Sequence, residues 1–410
     1  MRYSNSSSTN NIRTEKAALA MNEALIIAAR RTPVVRSNKE FARLGADQLL
    51  GKVFDALLED TGISPADVDH VFAGNAAGPG GNIARVATQV SRLPDSVPAT
   101  TLDAQCASAL EAIAAAARMV RCGEARAVIA GGVESVSTAP WRMEKNGDPA
   151  SPPRIYSRAR FTPHPQVDPE MGVAAENIAA QFQISRTAQD EFALRSHQRA
   201  VQAQQAGRFN QEIVPIGTPS GVVQSDTCPR EGLSAKKLAS LRPAFVPGGT
   251  VTAGNSCPIN DGAAAVLVVD AEHYARLDAR FALRYLGTGT GACDPQILGM
   301  AAVPAYQKLA QLLGVDRLGK AELIEFNEAF AVQALACLAE LGIGASTVNR
   351  DGGALALGHP YGASGALLAT RLFWQARATA RGDELCLALM AAAGGTGTAV
   401  AFESVYTQPD

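Results

Sequence analysis

Gly362-Ala363-Ser364-Gly365-Ala366-Leu367 opens a helix that runs through Gly382-Asp383 into an apolar strand ending at Gly394-Gly395. Cys106-Ala107-Ser108-Ala109-Leu110 opens another, which runs through Gly123-Glu124 into a strand ending at Gly131-Gly132. The letters agree and so does the order of elements, so the chain reads as two similar halves. Outward from these stretches the same rhythm of apolar strand, Gly-rich turn and Ala-rich helix repeats, the pattern of an α/β protein with buried strands. It predicts strands over 24–28, 68–73, 127–130, 264–269, 322–326, 385–390 and 398–402. Long helices are predicted over 44–60, 107–121, 304–313, 329–341 and 363–380.

One region breaks the rhythm. Residues 140–249 are rich in Pro, Arg and Gln, open with a Pro-dense irregular segment (140–169), and hold an amphipathic helical pair over 171–182 and 187–206, which reads as an inserted loop domain. The first half then runs over 22–139 and is completed by about 250–275, and the second over 276–406. Residues 1–21 are Ser/Asn-rich without an apolar signal core and read as a disordered extension.

At 410 residues the chain is long enough for two or three domains and a sizeable core. A net charge of −2 gives no reason to expect nucleic acid or an anionic membrane as a partner. No apolar run reaches the roughly 18–20 residues of a membrane span. The seven Cys (106, 122, 228, 257, 293, 337, 386) are scattered and include no CxxC pair, which argues against a disulfide framework or a zinc site and for a reducing, cytoplasmic setting. The expected partner is a small molecule.

Cys106 follows a strand-to-turn segment and precedes a helix. A thiol there meets unpaired N–H groups and the positive end of the helix dipole, so its pKa is expected to fall, as a covalent nucleophile requires. The other reading of such a residue is a small side chain packing a helix start. His359 lies between Gly358 and Pro360 within the most specific stretch, Gly352 to Gly365, just ahead of the second helix start. An imidazole so placed can take a thiol proton or donate to an oxyanion. Asn327 ends an apolar strand and opens a helix, where it is either a plain N-cap or the holder of a water that touches an acyl carbonyl.

These stretches, together with Ala29 to Pro33, Gly131 to Ser135, Met171 to Asn177, Thr250 to Asn255, Ile259 to Ala264 and Ala391 to Gly397, resemble the thiolases, the acetyl-CoA acetyltransferase and 3-ketoacyl-CoA thiolase group, from about Glu23 to Glu403. The resemblance implies two βαβαβαββ halves packed as a five-layer αβαβα sandwich with an inserted loop domain. It implies Cys106 as acyl carrier, His359 as its activator, Asn327 as the water-holding Asn, and backbone donors at Ala393 and Gly394 for the oxyanion. Met171, Arg230, Ser256 and Cys257 would meet the substrate, and Lys236, Lys237 and Arg242 are further candidates for coenzyme A phosphates. It implies a coenzyme A thioester as substrate, no permanently bound cofactor or metal, and a homodimer or homotetramer.

Several positions depart from the pattern. Where thiolases carry a second Cys that shuttles the proton of the second half-reaction, this chain has Ala391. Losing such an acid/base group costs about 10²–10⁴ in rate. Cys257 and Cys293 are expected to be inert as substitutes. Asp103 and Ala109 flank the nucleophile where Asn and Gly are usual, Glu170 stands for His, Ser256-Cys257-Pro258 for Ala-Ser-Gly, and Ala301-Ala302 for Gly-Pro. The expected function is acyl transfer through a Cys106 thioester, followed by C–C bond formation or thiolysis of a 3-ketoacyl-CoA. The alternatives are a specialised biosynthetic acyltransferase, a ketosynthase-like condensing enzyme, or a non-catalytic acyl-CoA-binding subunit.

Overall fold

The computed structural model describes residues 23–148, 150–156, 158–277 and 279–406. The expected extension over 1–21 lies outside them. The strands that matter to the site are β1 (Leu25–Arg31), β2 (His70–Gly74), β3 (Ala99–Leu102), β4 (Ala127–Ser135), β5 (Asn260–Val269), β6 (Phe281–Ala292), β7 (Leu323–Phe326), β8 (Leu385–Ala392) and β9 (Thr396–Tyr406). They form one hydrogen-bonded sheet in the order β7-β8-β9-β6-β1-β5-β4-β2-β3, with Val35–Arg36 paired to the end of β5. The two halves meet where β1 pairs with β6, Leu25 opposite Arg284 and Ile26 opposite Leu283.

Helices α1 (Ala46–Thr61), α2 (Ile83–Gln89), α3 (Ser108–Arg121), α4 (Met171–Gln181), α5 (Arg186–Gln205), α6 (Ala302–Leu313), α7 (Ala331–Glu340) and α8 (Ser364–Thr379) complete the frame. The two helices opened by the repeated stretches are α3 and α8. Their apolar faces (Leu110, Ile113 and Ala116; Ala366, Leu372 and Phe373) share one core with inward residues of both half-sheets, such as Val128, Val266, Met390 and Phe402. The outer face of the first half packs on α1 and α2 through Leu50, Phe54 and Leu57, and that of the second packs on α6 and α7 through Leu309, Val332 and Leu338. The result is the expected sandwich of alternating helix and sheet layers, with α3 and α8 at its centre.

Each predicted strand and helix is present with its ends moved by a few residues; of the nine strands above, β6 has no counterpart among the expectations and β3 is expected only as the strand-to-turn segment ahead of Cys106. β3 is a short edge strand, half-buried throughout, so it shows no clean apolar signature. β6 carries Gly287, Gly289 and Gly291, which look like a turn in the sequence. Those glycines instead line the face on which α6 lies. A Cβ on Gly289 would come within 2.3 Å of the Ala305 carbonyl oxygen, and one on Gly291 within 2.5 Å of the Ala305 nitrogen. Their lack of a side chain lets the helix backbone touch the strand.

A buried ionic cluster ties the region over 140–249 to both halves. The Arg31 guanidinium, on β1, donates to Glu212 at 2.6 Å and in a fork to Asp226 at 2.7 and 2.9 Å. Arg371, on α8, pairs with the other oxygen of Glu212 and with Asp351. All five side chains are almost completely buried. Removing one partner would strand a charge in a dry interior, at a cost of about 3–5 kcal/mol.

Candidate active site

Cys106 sits on a sharp elbow between β3 and α3. Asp103 accepts from the Gln105 amide at 2.9 Å, Gln105 takes a left-handed φ of 54°, and the Ala107 amide closes back on the Ala104 carbonyl at 3.1 Å. The elbow presents the Cys106 thiol with only 8% of the residue exposed. Burial pushes its pKa up to about 12. A hydrogen bond from the Ala393 backbone N–H offsets this in part, while Glu134 and Asp103 add to the rise. The expected fall does not occur, because the cost of charging a buried sulfur exceeds what a helix beginning two residues later returns.

His359 comes from the second half, and Tyr361, whose ring stands edge-on to it at 5.5 Å, shares the surroundings of Cys106. Its backbone N–H donates to Asn260 Oδ1 at 2.9 Å, and Ile259 forms a bridge with it. Its Nδ1 lies 2.7 Å from the Ser364 hydroxyl at the start of α8, and its Nε2 has no partner. A hydroxyl both gives and takes a hydrogen bond, so Ser364 accommodates either ring tautomer. Nε2 can therefore accept a proton in one step and donate in another. Burial lowers the His359 pKa to about 4, so the ring is neutral at pH 7.

Asn327 follows β7 in a buried turn, its own N–H bonded to the Leu389 carbonyl at 2.9 Å. It does not cap α7, which begins at Ala331 with Phe330 as its N-cap residue. Its side-chain Nδ2 is buried without a partner. A cavity of about 30 Å³, lined by Asn327, Glu325, Gly358, Ser364 and Arg371, adjoins it and has room for one water. An amide that satisfies nothing in the fold is a group held ready for something else.

Glu134, whose charge Cys106 feels, ties the loop after His359 to the turn that follows β2, and the sequence alone gives it no role. Its carboxylate accepts from Asn75 Nδ2 (2.9 Å), Ala76 N (3.0 Å), Ala77 N (3.0 Å) and Gly362 N (3.0 Å), joining the two halves at the site. Burial raises its pKa to about 7 in spite of those donors. The approach is close. A Cβ on Gly132 would fall 2.1 Å from the Gly362 carbonyl oxygen, so only glycine fits. The available signal was a carboxylate inside the otherwise uncharged, wholly buried strand β4.

Ala393 and Gly394 follow β8, and Gly394 turns with a φ of 81°. The Ala393 N–H therefore faces the Cys106 sulfur, and Gly394 lies beside the Phe161 backbone. Met171 begins α4, and Gly172 packs flat on the Phe245 ring, which in turn meets Phe330 edge-on at 6.0 Å. Phe245 and Ile259 leave 43% and 50% of their surface exposed, giving an apolar approach beside the site. Arg230 and Ser256 share a cavity of about 110 Å³ with Arg36, His197 and Pro258. Lys236 and Lys237 are exposed on the short helix Ala235–Ala239, Lys237 Nζ donating to the Gly232 carbonyl at 3.0 Å, and Arg242 is also exposed. Among the described residues no helix is long and apolar enough to cross a membrane, and no group of side chains could hold a metal ion.

The thiolase N-terminal domain family matches residues 24–272, and the thiolase C-terminal domain family matches residues 280–404. The chain is 40% identical over 394 residues to VraB of Staphylococcus haemolyticus, named as an acetyl-CoA C-acetyltransferase, covering 93% of this chain and 99% of that protein. The VraB of Staphylococcus aureus strain MW2 is 38% identical over 386 residues, with the same coverage. Among solved structures, the Bacillus anthracis acetyl-CoA acetyltransferase superposes with a TM-score of 0.86 at 32% identity, over 94% of this chain and 100% of that one.

Proposed function

We propose, from the premise that this chain belongs to the thiolase family and is an acyltransferase of the acetyl-CoA C-acyltransferase type, that it works through a thioester on Cys106. His359 Nε2 takes the Cys106 proton as the sulfur attacks the carbonyl carbon of an acyl-CoA. The oxyanion that forms is met by the backbone N–H groups of Ala393 and Cys106, with Gly394 shaping the turn. The coenzyme A sulfur leaves with the proton from His359. What supports this reading is a buried Cys106 thiol that meets the Ala393 backbone donor and shares its surroundings with Glu134 and Tyr361, together with a neutral His359 whose ring stands edge-on to Tyr361 with a free Nε2.

In the second half-reaction Asn327 Nδ2, directly or through one water, holds the carbonyl oxygen of the incoming acyl-CoA. C–C bond formation and thiolysis are the same step run in opposite directions. Met171, Phe245, Ser256, Cys257 and Phe330 form the apolar wall for the acyl-CoA arm, and Arg230 stands where a phosphate would pass. The unpaired edge of β3, immediately before the Cys106 elbow, supports assembly as a homodimer or homotetramer through that edge.

Incubation with acetyl-CoA followed by intact-mass measurement tests the thioester. One acetyl adduct per chain is expected, absent from Cys106→Ala. An adduct that persists in Cys106→Ala, or none in the wild type, refutes it. Turnover of malonyl-CoA but not of acetyl-CoA alone would replace proton abstraction by decarboxylation.

A further inference from the structure

Ala391 lies buried on β8, two residues before Ala393, and has no atom that can exchange a proton. The second half-reaction still requires one to move between Cα of an acyl-CoA and the protein. The titratable groups around Cys106 can be taken in turn. Glu134 is committed to four donors, and Asp103 is exposed and accepts from the Gln105 backbone N–H at 2.9 Å and side-chain amide at 3.0 Å. Glu328 is committed to Ser196 Oγ at 2.7 Å, Asn349 Nδ2 at 2.7 Å and Leu355 N at 3.2 Å. Tyr361 stands edge-on to the His359 ring, 5.5 Å between centroids, and burial raises its phenol as it raises the Cys257 thiol, so its place against the ring, not its proton affinity, sets it aside. His359, its Nε2 free, is the base that the thioester reading above assigns to the Cys106 proton, and it rests neutral. The Cys293 sulfur points at the carbonyls of Asp294, Ile297 and Leu298, 3.6–3.7 Å away, and its neighbouring thiol is Cys337.

Cys257 remains, and the backbone puts it between the two halves of the site. Ser256 forms an antiparallel bridge with Phe330, the Cys257 N–H donates to the Ala329 carbonyl at 3.0 Å, and Ile259 forms a parallel bridge with His359. The strap from Ser256 to Ile259 is thus fastened at one end to the turn carrying Asn327 and at the other to the base. Pro258 stiffens the chain between the fastenings. The thiol is half-buried, as a group must be that is sheltered yet reached by substrate. Burial and, after it, charge on Cys106 both push the Cys257 thiol up, so it rests as the thiol, and Tyr361 feels both sulfurs. Two thiols therefore share this site.

We propose that Cys257 is the second acid/base of the reaction, a role that rests on the Cys106 thioester reading above. With Cys106 acylated, Cys257 passes its proton to His359, and the Cys257 thiolate then removes a proton from Cα of the second acyl-CoA. The carbanion attacks the Cys106 thioester carbonyl. The new C–C bond forms, the C–S bond to Cys106 breaks, and the Cys106 sulfur leaves as thiolate to recover the proton from His359. Both cysteines end as thiols and the imidazole as neutral. In thiolysis the Cys257 thiol protonates the departing carbanion, and its thiolate then takes the proton of the incoming coenzyme A.

The test separates loading from proton transfer. Wild type, Cys257→Ala, the near-isosteric Cys257→Ser and the control Cys293→Ala are each given acetyl-CoA in D₂O. Acylation of Cys106 is followed by intact mass and deuterium entry into the acetyl-CoA methyl group by NMR. Both Cys257 variants are expected still to load Cys106, with any change in loading measured and divided out because Cys257 also lines the acyl-CoA wall, and to lose exchange and condensation by a further factor of about 10²–10⁴, while Cys293→Ala keeps both. Exchange at the wild-type rate in a Cys257 variant that still loads overturns the assignment alone, as does selective loss of exchange in Tyr361→Phe with Cys257→Ala unimpaired. Failure of the wild type to load Cys106 overturns the thioester reading and this one with it.

Discussion

The resting state of Cys106 and His359 can be settled by raising the pH across the thiol. With its pKa pushed up to about 12, Cys106 carries thiolate in only about one molecule in 10⁵ at pH 7 and one in 10⁴ at pH 8. That is roughly a thousandfold less than an exposed cysteine. His359, held at about 4, does not supply a compensating positive charge, so the resting pair is thiol and imidazole. Cys122 is exposed in the same molecule and serves as an internal reference. Iodoacetamide labelling of both residues, followed by peptide mass mapping between pH 6 and 9, should show the Cys106 rate rising about tenfold per pH unit with no plateau. The slope is the decisive readout, because burial slows the absolute rate for steric reasons as well. His359→Ala should leave that slope unchanged while cutting acylation by acetyl-CoA about 10²–10⁴-fold, since the proton must then move without a base. A Cys106 profile that levels off below pH 8, or outpaces Cys122 at pH 7, would mean a standing thiolate–imidazolium pair and refute the reasoning.

Three other perturbations probe the same frame. Asn327→Ala removes an amide that satisfies nothing, so denaturant stability should stay within about 1 kcal/mol while turnover falls about 10²–10³-fold; a large loss of stability would make Asn327 structural. Glu134→Gln turns an NH₂ toward backbone donors at Ala76, Ala77 and Gly362 and should cost about 1–3 kcal/mol by chemical unfolding, with slower Cys106 loading; an unchanged midpoint would show that the junction of the halves does not depend on the carboxylate. His197, like His359, is held near pKa 4 by burial, below the ordinary 6.5, so its neutral form stabilises the fold fully above 6.5 and that contribution is lost as pH falls toward 4, up to roughly 3 kcal/mol. Glu134 and Glu325, raised to about 7 and about 8, act in the opposite direction, so the difference in urea midpoints between wild type and His197→Gln at pH 7 and 4.5 isolates the histidine. Equal pH dependence in the two proteins would exclude it.

Much of this protein was legible in one dimension because its signals are local. The helix starts at Ser108 and Ser364 are written in neighbouring residues, and apolar runs such as 264–269 and 385–390 announce strands buried on both faces. Comparing the chain with itself was enough to read two similar halves. The unusual composition and placement of Cys106, His359 and Asn327 marked them as candidates, since Gly, Pro and helix-start context are properties of the adjoining chain. The strand β6 is not legible in the same way, because its glycines interrupt the apolar signal and their role depends on a helix that lies elsewhere in the sequence.

What only tertiary structure decided is everything that depends on distance between remote segments or on exclusion of water. Burial, not helix position, governs the Cys106 thiol, and burial is a property of the whole packed core. Glu134 acquires its role only when Gly362, 228 residues away, brings its N–H to the carboxylate. The ionic cluster joining Arg31, Glu212 and Arg371 likewise exists only in the folded chain. Cys257 is one thiol among seven in the sequence, and it becomes a candidate for chemistry because the strap from Ser256 to Ile259 is fastened to both Phe330 and His359. The sequence by itself determined the elements and named the candidate side chains for the chemistry. The fold determined which of them meet, and the dielectric in which they do so sets their proton affinities.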